Sequence, residues 1–245
     1  MSKPVAMVLA AGRGMRMGGT YPKTLIPVAR GEPLLHFILR GLEVAGIDEL
    51  VVVTGFRSKD IEDFVAARGR RLECRFVANP KWDSAGNYHS LLVGLEAAER
   101  RDVLVVNCDV VIHPRVLGRV AAAAEDLVLA VQPRPELDLE DMRVMLDGTS
   151  IAAIGKALDI ETSEGEYAGV SLVRRRAGIE YIAECREFMN DHSPSGYYED
   201  VYARILSRVT TGIVEVGPAE YAELDTPGDA PDASSVVEAV GSAWQ

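Results

Sequence analysis

The first half of the chain alternates between apolar strand-like runs and helix-like stretches. The strand-like runs are Val5–Ala10, Leu50–Thr54, Leu72–Val77, Val103–Asn107 and Leu127–Gln132. The helix-like stretches are Leu34–Ala45, Lys59–Arg68, Ser90–Arg100 and Arg115–Glu125. This alternation predicts an α/β fold with an open, doubly wound, mostly parallel sheet. In such a sheet the ligand site lies beyond the carboxyl ends of the strands.

The pattern changes after Pro133, where a loop to Asp141 leads into shorter segments. We expect strands over 143–146, 151–154, 167–173 and 213–216, helices over 179–189 and 198–207, and a closing helix from near Pro227. A chain of 245 residues with 48% hydrophobic content can bury one substantial core. We therefore predict a single domain over 1–245 with two halves, 1–132 and 133–245.

Composition limits the classes of partner. The formal net charge is −11, which argues against a general nucleic-acid or anionic-membrane surface. Cys74, Cys108 and Cys185 are widely spaced, as expected of reduced structural thiols. No signal-like segment and no apolar run of ~18 residues is present, so we expect a cytoplasmic protein without a membrane span.

A glycine-rich basic loop follows the first strand-like run. Its glycines allow positive φ and close approach of the backbone to a ligand, and its cations can neutralise a polyphosphate. The glycines are Gly12, Gly14, Gly18 and Gly19, and the cations are Arg13, Arg16 and Lys23. The loop lacks the Walker pattern and is a poor dinucleotide fingerprint. It predicts a phosphate-binding site of another kind.

The stretch Leu9-Ala-Ala-Gly-Arg-Gly-Met-Arg-Met-Gly, followed by Pro22-Lys23, resembles the signature of nucleotidyltransferases. These enzymes transfer a nucleoside monophosphate to a small phosphorylated acceptor. The resemblance implies a Rossmann-like, glycosyltransferase-A-like fold, with a nucleotide-binding half over 1–132 and an acceptor- and metal-binding half over 133–245. It implies catalytic roles for Arg16, Lys23 and Lys156.

The segment from Asn79 to Leu91 selects a branch of that family. Asn-x-x-Trp followed by Asn-x-x-Ser-Leu is similar to the bacterial cytidylyltransferases that act on phosphocholine, inositol phosphate or phosphonates. On local grounds, Ser84 or Asn87 could instead cap the next helix. The resemblance implies nucleotide-binding roles for Leu9, Ala10, Ala11, Gly12, Arg13, Gly14, Arg16, Lys23, Asn79, Ser84, Asn87 and Ser90.

Two aspartates are candidate metal ligands. The family's usual Asp-x-Asp after a strand reads Asn107-Cys-Asp109 in this chain, so only Asp109 matches. Asp225, in Glu223-Leu-Asp-Thr, resembles the family's late metal-binding aspartate. Mg²⁺ prefers oxygen ligands and often retains waters and substrate phosphates. The resemblance therefore implies Mg²⁺ as the cofactor, held by Asp109 and Asp225.

The acceptor end is less specified by the sequence. Lys156 matches the family's basic residue near the acceptor phosphoryl group, and Trp82, Asp141, Tyr167 and Tyr198 are the other candidate contacts. A choline headgroup calls for an aromatic cage. The acidic residues Glu136, Asp138, Glu140 and Asp141 could instead receive an ammonium group. An aminoalkyl or hydroxyalkyl phosphonate is thus an alternative to phosphocholine.

The resulting functional hypothesis is transfer of CMP from CTP to a phosphocholine, phosphonate or inositol phosphate acceptor, with release of pyrophosphate. Two alternatives stay open at this point. One is a sugar-1-phosphate or molybdopterin nucleotidyltransferase, and the other is a non-catalytic, regulatory nucleotide-binding module. The expected partners are CTP and a small phosphorylated acceptor, and homodimer formation is left open.

Overall fold

The computed structural model describes residues 3–69, 71–134, 136–191 and 195–244. Its strands are β1 (Val5–Ala10), β2 (Pro27–Ala29), β3 (Glu32–Pro33), β4 (Glu49–Thr54), β5 (Glu73–Ala78), β6 (Val103–Asn107), β7 (Val110–Ile112), β8 (Leu127–Pro133), β9 (Arg143–Asp147), β10 (Ser150–Gly155), β11 (Gly165–Val173), β12 (Thr211–Glu215) and β13 (Tyr221–Glu223). Its α-helices are α1 (Leu34–Val44), α2 (Ser58–Arg68), α3 (Asn87–Ala97), α4 (Pro114–Ala122), α5 (Arg175–Asp191), α6 (Tyr198–Ile205) and α7 (Ala230–Val240).

One large sheet runs through the molecule in the order β10-β9-β11-β6-β1-β4-β5, and β8 pairs with both β11 and β12. The four strands β6, β1, β4 and β5 are parallel to their neighbours in that group. β11 enters antiparallel beside β6, while β12 is parallel to β8. The predicted fold class is confirmed, and β11 places the second half of the chain in the same sheet as the first.

Strand β1 is covered on both faces. Val5, Met7 and Leu9 belong to one hydrophobic cluster, which includes residues of α3, α5 and α6. Ala6, Val8 and Ala10 belong to the opposite cluster, which includes residues of α1, α2 and α4. Burial of both faces explains why the sequence of this strand is continuously apolar instead of alternating.

A small two-stranded ribbon lies beside the large sheet and was not expected from the sequence. β7 pairs antiparallel with β13, so that Val110 is opposite Glu223. The Leu224 N–H donates to the Asp109 carbonyl at 2.8 Å. This pairing fixes Asp109 next to the segment that carries Glu223 and Asp225.

Most predicted elements are present, with shifted ends. Helix α3 begins at Asn87 and not at Ser90, and its N-cap is Gly86, so neither Ser84 nor Asn87 caps it. The closing helix begins at Ala230, directly after a 3-10 turn over Pro227–Asp229. The β2–β3 hairpin is a further pair that the sequence did not suggest. Among the described residues, no helix is long and apolar enough to span a membrane, and the three cysteines are free thiols.

Candidate active site

The glycine-rich loop leaves the carboxyl end of β1 and turns on left-handed glycines. Gly14 has φ 64° and a Cβ there would lie 2.8 Å from the Lys23 Cβ, so a side chain would displace the lysine. Gly18 and Gly19 also have positive φ, of 95° and 62°. The loop therefore folds back on itself and brings Lys23 beneath it.

Lys23 links the loop to two carboxylates. Its Nζ lies 2.7 Å from Asp225 Oδ1 and 3.0 Å from Asp109 Oδ2. Burial lowers the pKa of Lys23, but Asp109 and the hydrogen bond to Asp225 raise it by more, so the net shift is upward. The ammonium group is therefore charged at neutral pH and stands beside the acidic residues of the ribbon.

Arg16 and Lys156 reach the same region. Arg16 pairs with Asp225 at 3.0 Å and with Glu140 at 2.9 Å. Lys156 lies 3.4 Å from the same Glu140 oxygen, and its Nζ is 5.3 Å from the centre of the Tyr197 ring. The structure thus brings the three predicted catalytic cations together: Asp225 joins Lys23 to Arg16, and Glu140 joins Arg16 to Lys156.

Asp109, Glu223 and Asp225 form an acidic cluster. One ligand oxygen from each lies within 4.8 Å of the others. Asp109 Oδ1 is buried without a hydrogen-bond partner. Burial, followed by the neighbouring Asp109 and Asp225, raises the pKa of Glu223 to about 8. Hard carboxylate oxygens around an unsatisfied oxygen fit a divalent ion such as Mg²⁺.

Glu223 was missed as a candidate ligand. It is two residues before Asp225, and in an extended strand residues at that spacing point to the same side. That spacing was the available signal. With Asn107 in place of the family's first carboxylate, Glu223 supplies the third acid of the cluster.

In the predicted base-binding segment, Asn79 and Ser90 are buried and Asn87 is exposed. Asn79 is 2% exposed and donates to Ser90 Oγ at 2.9 Å, while its Oδ1 accepts from the Lys81 N–H at 2.9 Å. Asn87 is exposed and its Oδ1 accepts the Tyr198 N–H at 2.9 Å. Asn79 and Ser90 therefore brace the turn internally, and Asn87 is the side chain that faces the cleft.

Two aromatic candidates, Trp82 and Tyr198, are outside the cleft lining. Tyr198 has no exposed surface, and its hydroxyl contacts Asn107 at 2.9 Å and Tyr167 at 3.1 Å. The Trp82 ring packs 5.6 Å from Phe56. Neither side chain is part of the cleft lining, and their assignment to the acceptor stays a prediction. Tyr197 is 40% exposed and lines the cleft instead.

A buried arginine organises the loops of the acceptor side. Arg143 is 2% exposed and its Nε donates to the Leu158 carbonyl at 2.9 Å. Its other nitrogens donate to the carbonyls of Asp138 and Lys156. One guanidinium therefore ties the loop before β9 to the turn that carries Lys156.

These groups surround one cleft of about 1140 Å³, which exceeds the range of many small-molecule sites. Of the predicted site residues, those lining it are Gly14, Arg16, Lys23, Asn87, Asp109, Asp141, Lys156, Tyr167 and Asp225. Those outside its lining are Leu9, Ala10, Ala11, Gly12, Arg13, Asn79, Trp82, Ser84, Ser90 and Tyr198. Arg13 instead donates to the Gly19 carbonyl at 2.7 Å and covers the Phe56 ring. The ligand-binding roles assigned from sequence stay predictions.

Sequence comparison places this site in a family. Residues 6–179 match the MobA-like NTP transferase domain. The chain belongs to this family. The predicted resemblance to nucleotidyltransferases is thereby confirmed, and the matched residues 6–179 include the glycine loop, Asp109 and Lys156.

Among curated relatives, CMP-5'-(3-aminopropyl)phosphonate synthase of Streptomyces rubellomurinus is 28% identical over 240 residues, which is 91% of this chain and 37% of that protein. Bifunctional protein GlmU of Azorhizobium caulinodans is 30% identical over 187 residues, covering 73% of this chain and 41% of that protein. The NTP transferase chain thus spans about two fifths of the length of these relatives.

Two solved structures share the fold over nearly the whole chain. The CTP:phosphocholine cytidylyltransferase from Streptococcus pneumoniae superposes with a TM-score of 0.79 at 18% identity, over 96% of this chain and 100% of that one. The inositol-1-phosphate CTP transferase from T. maritima gives 0.77 at 22% identity, over 97% and 98%. At these identities the likeness establishes the NTP transferase fold.

Proposed function

We propose that this chain is a cytidylyltransferase that moves CMP from CTP to a small acceptor bearing a phosphate or phosphonate group. The observation that carries the proposal is the joining of Lys23 to the Asp109–Glu223–Asp225 cluster beneath the glycine loop. Curated and structural relatives named for cytidylyl transfer support the choice of nucleotide and acceptor class.

In the proposed reaction an acceptor oxygen attacks the α-phosphorus of CTP. A new P–O bond forms there, the bond from the α-phosphorus to the bridging oxygen of the β-phosphate breaks, and pyrophosphate leaves with that electron pair. The acceptor is already anionic at neutral pH, so no general base is needed. The protein has to position two anions and neutralise charge.

The three cations have separate tasks in this scheme. Lys23, next to the glycine loop, balances charge on the triphosphate, and Arg16 stabilises the departing pyrophosphate. Lys156, on the acceptor side of the cleft, offsets the charge that grows as the acceptor approaches. Both Arg16 and Lys156 now pair with Glu140, which is 68% exposed at its side chain. A bound anion can replace this exposed carboxylate as their partner at small cost.

Asp109 and Asp225, with Glu223, are the residues that would hold Mg²⁺. When bound, this ion would supply positive charge that offsets the negative charge of the phosphate groups. The Lys23 ammonium pairs with one oxygen of Asp109 and one oxygen of Asp225. Its positive charge therefore offsets the repulsion between these carboxylates until a cation and the triphosphate bind.

Asn87 is the proposed contact to the cytosine. A backbone N–H can only donate, so the hydrogen bond from Tyr198 assigns the Asn87 oxygen to that contact. The amide nitrogen is then the group that this side chain offers to a base. It can donate to O2 or N3 of cytosine, which are both acceptors.

The test is a panel of CTP, UTP, GTP and ATP against 2-aminoethylphosphonate, phosphocholine, inositol 1-phosphate and glucosamine 1-phosphate, with Mg²⁺, read by pyrophosphate release. The proposal expects release with CTP and at least one of the first three acceptors. Release with UTP and the sugar phosphate alone would favour the alternative of a sugar-1-phosphate nucleotidyltransferase. Absence of release with every pair, alongside tight nucleotide binding, would favour the non-catalytic module.

A further inference from the structure

One buried carboxylate faces the cleft without a partner for one of its oxygens. Glu199 is 4% exposed and lines the cleft at the start of α6. Its Oε2 has no hydrogen-bond partner in the described part of the chain. Asp109 Oδ1 shares this property but belongs to the acidic cluster proposed to hold the metal. Glu199 has no assigned role in nucleotidyl transfer.

Leaving such an oxygen unpartnered is costly. A buried polar atom without a hydrogen bond loses its hydration and gains nothing in exchange, and the cost is larger for a charged group. Burial raises the pKa of Glu199 to about 8. A cationic donor placed at this oxygen would satisfy it and hold the carboxylate in its charged form.

The other acidic residues of the acceptor side already have partners. Asp138 Oδ1 accepts the N–H groups of Glu140 and Asp141, and Asp141 Oδ2 accepts that of Asp138. Glu166 pairs with Arg134 at 2.5 Å. The sequence pointed to the loop before β9 for an ammonium group, but Glu140 of that loop already pairs with Arg16 and Lys156. Glu199 is the better receptor because its Oε2 has no hydrogen-bond partner among the described residues.

A positively charged side chain, Lys156, lines the same cleft as Glu199. Tyr197, two residues before Glu199, has the Lys156 ammonium 5.3 Å from its ring centre. Lys156, Tyr197 and Glu199 all line the same cleft. The acceptor side therefore offers a cation for a phosphoryl group and a carboxyl oxygen without a hydrogen-bond partner for a positive group.

We propose that Glu199 receives the primary ammonium group of a zwitterionic acceptor, an aminoalkyl phosphonate or aminoalkyl phosphate, and thereby determines acceptor specificity. This inference rests on the proposed function. A primary ammonium is favoured because its N–H can donate to Oε2, whereas a trimethylammonium group has none and depends on exposed aromatic faces. The Tyr198 ring is fully buried, and the Tyr197 ring, 40% exposed, already has the Lys156 ammonium 5.3 Å from its centre.

The experiment compares 2-aminoethylphosphonate, phosphoethanolamine, phosphocholine and 2-hydroxyethylphosphonate by kcat/KM, in wild type and Glu199→Gln. Wild type is expected to prefer the two primary amines over the hydroxyl analogue and over phosphocholine by ~10-fold or more. Glu199→Gln should lower kcat/KM for the amines by ~10- to 100-fold and change the hydroxyl analogue by less than ~3-fold. The phosphonate and phosphate arms separate the two sources of the acceptor.

Asp232→Asn is the matched control. Asp232 is an exposed acid at the rim of the same cleft, so its variant removes equal charge without touching Oε2. It should leave the amine preference within ~2-fold, because an exposed charge is well screened. Equal loss of preference in both variants would overturn the proposal, as would an unchanged preference in Glu199→Gln. Circular dichroism melting shows that the variants are folded.

Calorimetry separates this inference from the proposed function. Binding of 2-aminoethylphosphonate in the presence of CMP and Mg²⁺ is measured in wild type and Glu199→Gln. Weaker binding in the variant supports the role of Glu199 even if no pyrophosphate is released. If wild type transfers CMP to the hydroxyl analogue with a kcat/KM equal to or higher than that for the primary amines, the inference is overturned and the proposed nucleotidyl transfer is retained.

Discussion

At the scale of single residues, Lys23 contributes most to the proposed chemistry. Its ammonium group contacts two carboxylates of the acidic cluster while its side chain is 11% exposed. An ammonium so little hydrated interacts strongly with added negative charge. The same position, below the loop that turns on Gly14, suits contact with a triphosphate.

Replacing Lys23 by alanine is expected to lower kcat/KM for CTP by ~100-fold or more, as expected for loss of one charge-stabilising contact in the transition state. Lys59→Ala is the control, since Lys59 is 77% exposed on α2. Initial rates of pyrophosphate release measure both. Wild-type turnover in folded Lys23→Ala would remove Lys23 from the active site.

Replacing Asp225 by asparagine is expected to raise the Mg²⁺ concentration for half-maximal rate by ~10-fold or more, because a neutral amide is a weaker ligand for a hard cation. The control is Asp63→Asn, whose carboxylate pairs with Lys59 on the surface. The assay is a Mg²⁺ titration at saturating CTP. An unchanged midpoint would contradict the assignment of Asp225 as a ligand.

Glu166 gives a pH dependence of stability. Burial, and then the neighbouring Asp141, raise its pKa from 4.5 to about 7 despite the ion pair with Arg134. Between these values the folded state holds a proton that the unfolded chain releases, so this group's contribution to the free energy of unfolding falls as pH rises. It is fully present below about pH 4.5 and lost above about pH 7.

The expected difference is therefore measured against Glu166→Gln, which does not titrate. In urea unfolding, the free energy of unfolding of wild type should fall relative to that of the variant by on the order of 2 kcal/mol between pH 4.5 and pH 7.5. Parallel curves for the two proteins across this range would show that the carboxyl is not perturbed.

The sequence specified some site residues better than others. Three of them occupy recognisable motif positions and contact one another in the structure: Lys23 pairs with both Asp109 and Asp225. Tyr197 and Tyr198 are adjacent and chemically identical, so only the orientation of α6 decides which one faces the cleft. The unpartnered oxygen of Glu199 depends on long-range packing and leaves no local trace in the sequence.

At the scale of elements, the loops of the acceptor side depend on Arg143. Its guanidinium bonds to the carbonyls of Leu158, Asp138 and Lys156. These bonds join the loop before β9 to the turn after β10. The turn with Lys156 is therefore placed by hydrogen bonds to one buried side chain.

Arg143→Met is expected to raise KM for the acceptor by ~10-fold and to leave KM for CTP within ~3-fold, since the variant frees the Lys156 turn but not the glycine loop. It should also destabilise the fold by about 2 kcal/mol through buried unpartnered carbonyls. Arg186→Met, at an exposed site on α5, is the control. A larger effect on CTP than on the acceptor would contradict this positioning role.

Elements differed in how far their sequences specified them. β1 is an apolar run of six residues and β6 is apolar up to its last residue, Asn107, and both were predicted from their sequences. β7 and β13 have three residues each, too few to show a period, and they pair across about a hundred residues of chain. The ribbon that assembles the acidic cluster was therefore outside the reach of local pattern analysis.

At the scale of the whole molecule, the doubly wound architecture follows from the alternation of strands and helices in the first half. The antiparallel entry of β11 beside β6 is a tertiary choice that no short segment encodes. It places Gly169 of β11 against Asn107 of β6, where a Cβ would lie 3.1 Å from the asparagine side chain. One rigid sheet thus supports both sides of the cleft, as transfer between two bound anions requires.

The most direct test follows the labelled acceptor oxygen. Wild-type protein is incubated with CTP, Mg²⁺ and 2-aminoethylphosphonate carrying ¹⁸O on phosphorus, and the products are analysed by mass spectrometry. The account predicts a CMP–acceptor conjugate that retains every acceptor ¹⁸O atom, with one unlabelled pyrophosphate released per conjugate. Formation of CDP or of free phosphate without such a conjugate would contradict nucleotidyl transfer at this site.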